Sequence, residues 1–485
     1  MSSQILKTLK KYKNVEELLQ ALEKVKNSNS YLFDSVNKSG LIKKYSEGSF
    51  LDSADNLSGY LFSIKDLISN TDGIVTGGSK FLENYEPPFN ASVYKALNNA
   101  GALNLVNSNL DEFGLGGTGL FSFTGQTPNP FNEEYISGGS SSGSAYLIKN
   151  ELVDFSIGSD TGDSARYPAS LCGIVGFKPS FGIVSRYGFY PFCSSFDTPS
   201  ILSKSIEVIA KVLSVISFPD SNDLCTLGTK KKNYLEELKK PLNKNLKIAI
   251  FDQTFWTASN LETDVSRTVK DKFERLVENI KSDLGFSVEI CKFEDPRLLK
   301  LCELIYRVIA YSESISNYSN LTGILFPFKK SKSGVEVLNV DKGKNYQEIL
   351  FNNRSVLGEE FVYRQILGKH FLEKENYKEI YLRCKKLLTA INREVKSLFD
   401  NYDLILSPTT IDLPPKRKEW KRGYSPKNVL NILLLANFCG LPAISIPWET
   451  VEGMPFGLHL MSKFKSDGFL LNVSNYLMDW IVSKD

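Results

Sequence analysis

The stretch that decides the architecture is "LVDFSIGSDTGDSARYPAS", Leu152–Ser170. Its opening, "LVDFSIG", is a short apolar run bounded by turn residues, the pattern of a strand buried in an α/β sheet. The "DTGDS" that follows is small and flexible, and successive amide N–H groups in such a turn can converge on one anion. Ser164 closes that turn, with Asp160 and Asp163 before it and Arg166 after it. Most serines in glycine-rich loops are only turn residues. A serine that attacks a carbonyl needs aimed donors for the oxyanion and a group to take its proton. The chain has two histidines in 485 residues, His370 and His459, both far off in sequence. The identity of the base is therefore the central question.

Working outward, the zone from Gly59 to about Leu202 is rich in glycine and serine and carries further buried-strand candidates, "YLFSIK" and "GIVGFK". Between the strand candidates, "PPFNASVYKALNNAGA" has the spacing of a crossover helix ended by its glycine. "SGGSSSGSAYLI" (Ser137–Ile148) reads either as a flexible linker or as a sharp loop entering a helix, and its run into a buried-looking segment favours the loop. "GYLFSIKDLI" (Gly59–Ile68) sets Lys65 at the end of an apolar run. A lysine there is either a solvated strand end or a base kept neutral by burial, because desolvation disfavours the ammonium.

Four segments emerge. Residues 1–56 form a helical, charged N-terminal segment, and 57–220 the core. Residues 221–400 read as an α/β and helical extension of the same domain. In it, "LKIAIFD" and "FSVEICKFE" are strand candidates around a helix whose Val265, Val269, Phe273, Leu276, Val277 and Ile280 share one face. "FPFKKSKSGVEVLNVDKGKN" reads as a loop before a long helical segment near Glu373 to Phe399. Residues 401–485 contribute "YDLILSP" and "LPAISIPW", strands expected to rejoin the central sheet, and a helix.

Composition narrows the function classes. A net charge of +3 gives no global field for nucleic acid or membrane, and 42% hydrophobic with 23% charged residues fits a soluble protein with a sizeable core. Seven widely spaced cysteines without a C-x-x-C pair argue against a zinc cluster or a disulfide framework and fit a reducing cytosol. The N-terminus reads as an amphipathic helix rather than a signal peptide. "VLNILLLANFCGLPAISIPW" (Val429–Trp448) reads as a buried helix and strand rather than a membrane span. Neither histidine has a metal-ligand companion, so no metal is expected. No G-x-x-x-x-G-K-[ST] phosphate loop occurs. "PPKRKEWKRGY" (Pro414–Tyr424) is either a solvated loop or a contact for nucleic acid or a partner.

"GGSSSGSA", the 24-residue step from Ser140 to Ser164, "GSDTGDSARYPA" and "CGIVGFKPSFGIVSRYG" together resemble the amidase signature family, as does "SIKD" with the following "GIVTGGSKFLENYEPP". The resemblance implies that family's fold, a large mixed central sheet flanked by helices on both faces. It implies a Ser–cis-Ser–Lys set in place of a histidine triad: Ser164 as nucleophile, Ser140 after a cis Gly139–Ser140 bond as bridge, and Lys65 as base. The backbone of Thr161, Gly162, Asp163 and Ser164 would form the oxyanion site.

Within the family, "NNAGALNLVNSNLDEFGLGGTGLFSFTGQTPNPFNEEYISGGSS" and "GIVSRYGFYPFCSSFDTPSIL" resemble in register the A-type subunits of glutamyl-tRNA(Gln)/aspartyl-tRNA(Asn) amidotransferases. The similarity is strong from Gly59 to Leu202 and patchier beyond. It implies a cytoplasmic glutaminase whose ammonia passes to a B-type subunit, with a C-type subunit tying the two together. Misacylated tRNA is then met mainly through the partner, and ATP and magnesium are used there; this chain needs no cofactor and no membrane. By position, Arg364 matches the arginine that holds the glutamine α-carboxylate, and Tyr306 a pocket tyrosine. From the residues alone, Arg364 reads equally as a helix-surface ion pair and Tyr306 as core packing.

Three departures are visible: Asp163 replaces a glycine, Leu430 falls where an amino-binding aspartate is expected, and "NLTGILF" replaces an acidic stretch. If position 163 needs a positive φ, an aspartate there costs about 1 kcal/mol. Asn428 and Asn431 are candidate neutral substitutes at the amino end. The alternatives that remain are a stand-alone amidase for another carboxamide, a catalytically weakened scaffold within the complex, and a nucleic-acid-binding module.

Overall fold

The run Leu61–Lys65 is buried at every position and forms β1. Alternation splits its side chains between two faces. Phe62 and Ile64 enter the larger core, and Leu61 enters a second core on the opposite side. Lys65 shares parity with Leu61 and Ser63, so it emerges on the face of the second core. That face is covered by the helix Ser142–Lys149, whose Ala145, Leu147 and Ile148 pack into the same cluster. Burying each large aliphatic side chain there contributes about 1.5–3 kcal/mol. The first turn of this helix is thereby held over the end of β1.

The computed structural model describes residues 11–12, 14–32, 35–47, 57–243, 245–252, 263–321, 328–331, 334–337, 345–420, 428 and 431–484. After β1 come β2 (Leu103–Ser108), β3 (Phe155–Asp160), β4 (Val175–Lys178), β5 (Thr198–Ser203), β6 (Lys247–Phe251) and β7 (Ser287–Cys291). β8 (Phe328–Ser331) and β9 (Gly334–Val337) follow, then β10 (Leu404–Pro408), β11 (Ala443–Val451) and β12 (Met454–Ser462). Ten of them make one mixed sheet in the order β2-β1-β3-β5-β4-β11-β12-β10-β6-β7. β2, β1 and β3 are parallel neighbours, with Lys65 level with Ser108. Helices cover both faces: Ser92–Asn99 and Ile206–Ile216 pack against the larger core, and Val15–Lys24 joins Ser142–Lys149 on the other side.

The C-terminal strands do rejoin the sheet, and β10 bridges the antiparallel β12 to the parallel β6 and β7. The long helix Asp264–Leu284 buries Val265, Val269, Phe273, Leu276, Val277 and Ile280, as the periodicity predicts. The loop expected around residues 326–345 is corrected in part. β8 and β9 pair there as an antiparallel ribbon apart from the main sheet, too short a run to register as a strand signal amid the lysines. The second long helix runs Arg383–Asn401 after a π-helical turn at Tyr377–Leu382. No described helix is long and apolar enough to cross a membrane.

Candidate active site

In open α/β sheets the crevice beyond the carboxyl ends of parallel strands is where groups for ligands gather. Here β1, β2 and β3 end together. Lys65 is wholly buried, and its Nζ donates to Ser140 Oγ at 2.7 Å and to Ser159 Oγ at 2.9 Å. Burial lowers its pKa to about 7, against the opposing pull of Asp111, Asp160 and Asp197. A lysine so placed is substantially neutral near physiological pH and can accept a proton.

Ser140 follows a cis Gly139–Ser140 peptide. The loop around it is clamped by Asp111, a buried carboxylate that accepts the amides of Thr118, Gly119 and Phe121 at 3.0–3.1 Å. A Cβ on Gly139 would lie 2.1 Å from Asp111 Oδ2, so only glycine fits there. The loop carrying Ser164 lies alongside: the Ser141 amide donates to the Ser164 carbonyl at 3.2 Å. Ser164 itself is 4% exposed. Among the described residues, the amides of Gly162, Asp163 and Ser164 meet no acceptor, which leaves them able to receive a developing oxyanion.

The turn is held from beneath by Arg166. Its guanidinium is fully buried and pairs with Asp160 through Nε (3.1 Å) and Nη2 (3.0 Å). It also donates to the carbonyls of Gly162 and Leu433, to Asn437 Oδ1 and to His459 Nε2. Arginine can only donate, so His459 Nε2 accepts and its other nitrogen carries the proton. Burial and the Arg166 charge push the His459 pKa well below its ordinary value. The histidine closest to the site is thus a neutral acceptor that supports the loop, not the base.

Asp163 does not take a positive φ, so the expected backbone cost does not arise. Burial and the charge of Asp160 raise its pKa to about 7, and Arg166 and Arg364 act the other way. A Cβ on Gly162 would touch Tyr306 at 3.1 Å, which places that ring against the turn. Arg364, in the helix Glu359–Leu372, gives Nε–H to Glu360 at 2.8 Å and lies over the Tyr311 ring. It is a helix ion pair, as one reading had it, and it also faces Asp163 and Tyr306 electrostatically.

A cavity of about 220 Å³, lined by Leu67, Gly114, Ser159, Thr161, Tyr190 and Asp197 among others, opens beside these loops. It suits a small molecule. Asn428 is unavailable as an amino-end substitute, since its amide serves Tyr167 and the Asp412 carbonyl. Asn431 opens a short 3₁₀ turn. Leu430 lies outside the described residues. Of the basic segment at 414–424, Lys416 pairs with Glu134 and Arg417 bonds Gln126 and the Glu133 carbonyl, which favours a docked loop. Residues 421–424 lie outside the described residues. Among the described residues, no group of three or more His, Cys, Asp or Glu is placed to hold a metal ion.

Sequence reasoning missed Ser159, Asp111 and the scale of the Arg166 network. Ser159 carried a usable signal, being a hydroxyl near the end of a wholly buried strand next to the one bearing Lys65.

A profile of the Amidase family matches residues 13–471. The chain is 35% identical over 491 residues to the A-type subunit of glutamyl-tRNA(Gln) amidotransferase from Mycoplasma pneumoniae, covering 98% of each. It is 32% identical over 470 residues to the protein of that name from Saccharolobus solfataricus, covering 95% of this chain and 92% of the relative. A crystal structure of the same A-type subunit from Thermotoga maritima aligns with a TM-score of 0.72 and 29% identity, over 97% of this chain and 93% of that one.

Proposed function

This chain belongs to the amidase signature family, and from that premise we propose that it is the glutamine-hydrolysing subunit of a tRNA-dependent amidotransferase. The observation that carries the reading is the buried Lys65 amine, hydrogen-bonded to Ser140 beside the loop of Ser164. Ser164 Oγ attacks the carboxamide carbon and passes its proton to Ser140, which gives its own to Lys65. The amides of residues 161–164 hold the oxyanion; losing one such donor costs about 10²–10³ in rate. As the C–N bond breaks, the proton on Lys65 returns through Ser140 to the departing nitrogen. Ammonia leaves, and an acyl ester remains on Ser164. Water then attacks the ester by the reverse relay and frees glutamate.

Arg364 takes the substrate carboxylate through its two Nη groups, and Tyr306, packed against the Gly162 turn, borders the substrate. A B-type subunit receives the ammonia and meets Glu-tRNA(Gln) or Asp-tRNA(Asn), and a C-type subunit ties the two together. ATP and magnesium act in the partner, and the complex works in the cytoplasm.

The reading is tested by ammonia release from glutamine, asparagine and simple amides, with and without co-purified B- and C-type subunits. Glutamine hydrolysis that increases in the complex is the expected result. A lone chain, fully active on another amide and indifferent to glutamine, would replace it with the stand-alone amidase.

The base makes a second prediction. Because Lys65 must be neutral, kcat/KM is expected to fall about tenfold per pH unit below 7 and to level off above it. Lys65→Met, uncharged and of similar length, removes the activity at every pH, and Asp163→Asn keeps the limb. A wild-type profile flat from pH 5 to 8 excludes Lys65 as the base.

A further inference from the structure

The side chain of Asp163 stands directly before the proposed nucleophile, and its backbone needs no special residue. Among the described residues its carboxylate has no hydrogen bond and no ion pair, and the residue is only partly buried. The nearest cation in sequence, Arg166, is fully committed to Asp160, His459, Asn437 and two carbonyls. The other cation that Asp163 feels is Arg364. That guanidinium has spent Nε on Glu360 and one face on Tyr311, and among the described residues its two Nη groups have no partner, although the side chain is only 12% exposed. Asp163 and Arg364 act on each other electrostatically without an ion pair between them, and Tyr306 feels both.

We infer that Asp163 is a specificity residue that binds the α-ammonium of the substrate, so that Arg364 and Asp163 together select the zwitterionic end of an α-amino acid amide. The inference rests on the proposed glutamine hydrolysis and deepens it. A carboxylate left beside a developing oxyanion opposes the reaction unless a cation neutralises it. The α-ammonium is the cation that such a substrate brings. An amide lacking the amino group leaves Asp163 uncompensated and gains nothing from it. Discrimination between the two substrates is then the signature of the residue, whatever its effect on overall rate.

The test compares L-glutamine with 4-carbamoylbutanoate, which is glutamine without its amino group, using wild type, Asp163→Asn and Asp163→Gly in the assembled enzyme. The ratio of kcat/KM for glutamine over 4-carbamoylbutanoate is expected to fall about ten- to a hundredfold in both variants, through a higher KM for glutamine. If either variant turns over neither amide, dissociation constants of the two ligands in a Ser164→Ala background supply the same ratio. An unchanged ratio, or an Asp163→Gly enzyme faster on glutamine, overturns the inference and leaves the glutaminase reading intact. A wild-type complex that releases no ammonia from glutamine overturns both.

Discussion

A Ser164→Ala chain, assayed with the subunits that accompany the wild type, is expected to release ammonia from glutamine at least about 10⁴-fold more slowly. Removing the attacking oxygen leaves the amides of Gly162, Asp163 and Ser164 and the Lys65–Ser140 hydrogen bond in place. Substrate should therefore still bind, and the loss should fall on kcat rather than on affinity. The substitution removes one oxygen at a position 4% exposed and asks little of the fold. Ser140→Ala should come close to the same loss, because nucleophile and relay act as a unit and such losses do not add. Equal ammonia release from wild type and Ser164→Ala would leave only a supporting role for this chain, the scaffold alternative.

Arg166→Met is expected to destabilise the protein by about 3–5 kcal/mol, read as a lower denaturant midpoint at unchanged slope. Burial by itself would raise the pKa of Asp160; the Arg166 charge and hydrogen bonds instead hold it at about 2, so the pair is ionised when folded. Removing the cation strands a charge with 0% exposure. The carbonyls of Gly162 and Leu433 lose their donor at the same time, and Asn437 and His459 lose a partner. Asp160→Leu combined with Arg166→Met should recover part of the stability, since an apolar pair leaves no orphaned charge. Catalysis should not recover, because nothing then anchors the Gly162 carbonyl beneath the oxyanion turn. A single variant within about 1 kcal/mol of wild type would show that the network does not hold the loop.

Much of the site was legible because each part carries its own local pattern. Lys65 ends an apolar strand, Ser140 sits in a glycine–serine loop entering a helix, and Ser164 closes a turn after a second strand. The resemblance joined these three into one set, and the structure shows Lys65 bonded to Ser140 and the two serine loops side by side. Asp111, Asn437 and His459 escaped because their partners do not follow from local pattern, and some lie far away in sequence: the Asp160–Asn437 contact spans 277 positions. Asn428 looked available for substrate, and proved to be spent on Tyr167 and Asp412. A polar residue in a loop shows its chemistry in the sequence, but not whether that chemistry is already satisfied.

The sequence alone determined the buried strands, the helical faces and the residue types able to attack, relay and accept a proton. These follow from periodicity and backbone chemistry within a few neighbouring residues. Tertiary structure alone decided which protonation states those groups hold. Lys65 can be neutral near pH 7 because the folded core strips its ammonium of water, and His459 stays neutral because it is buried against Arg166. Desolvation and opposing charge depend on everything packed around a group, and the chain assembles those surroundings only when it folds.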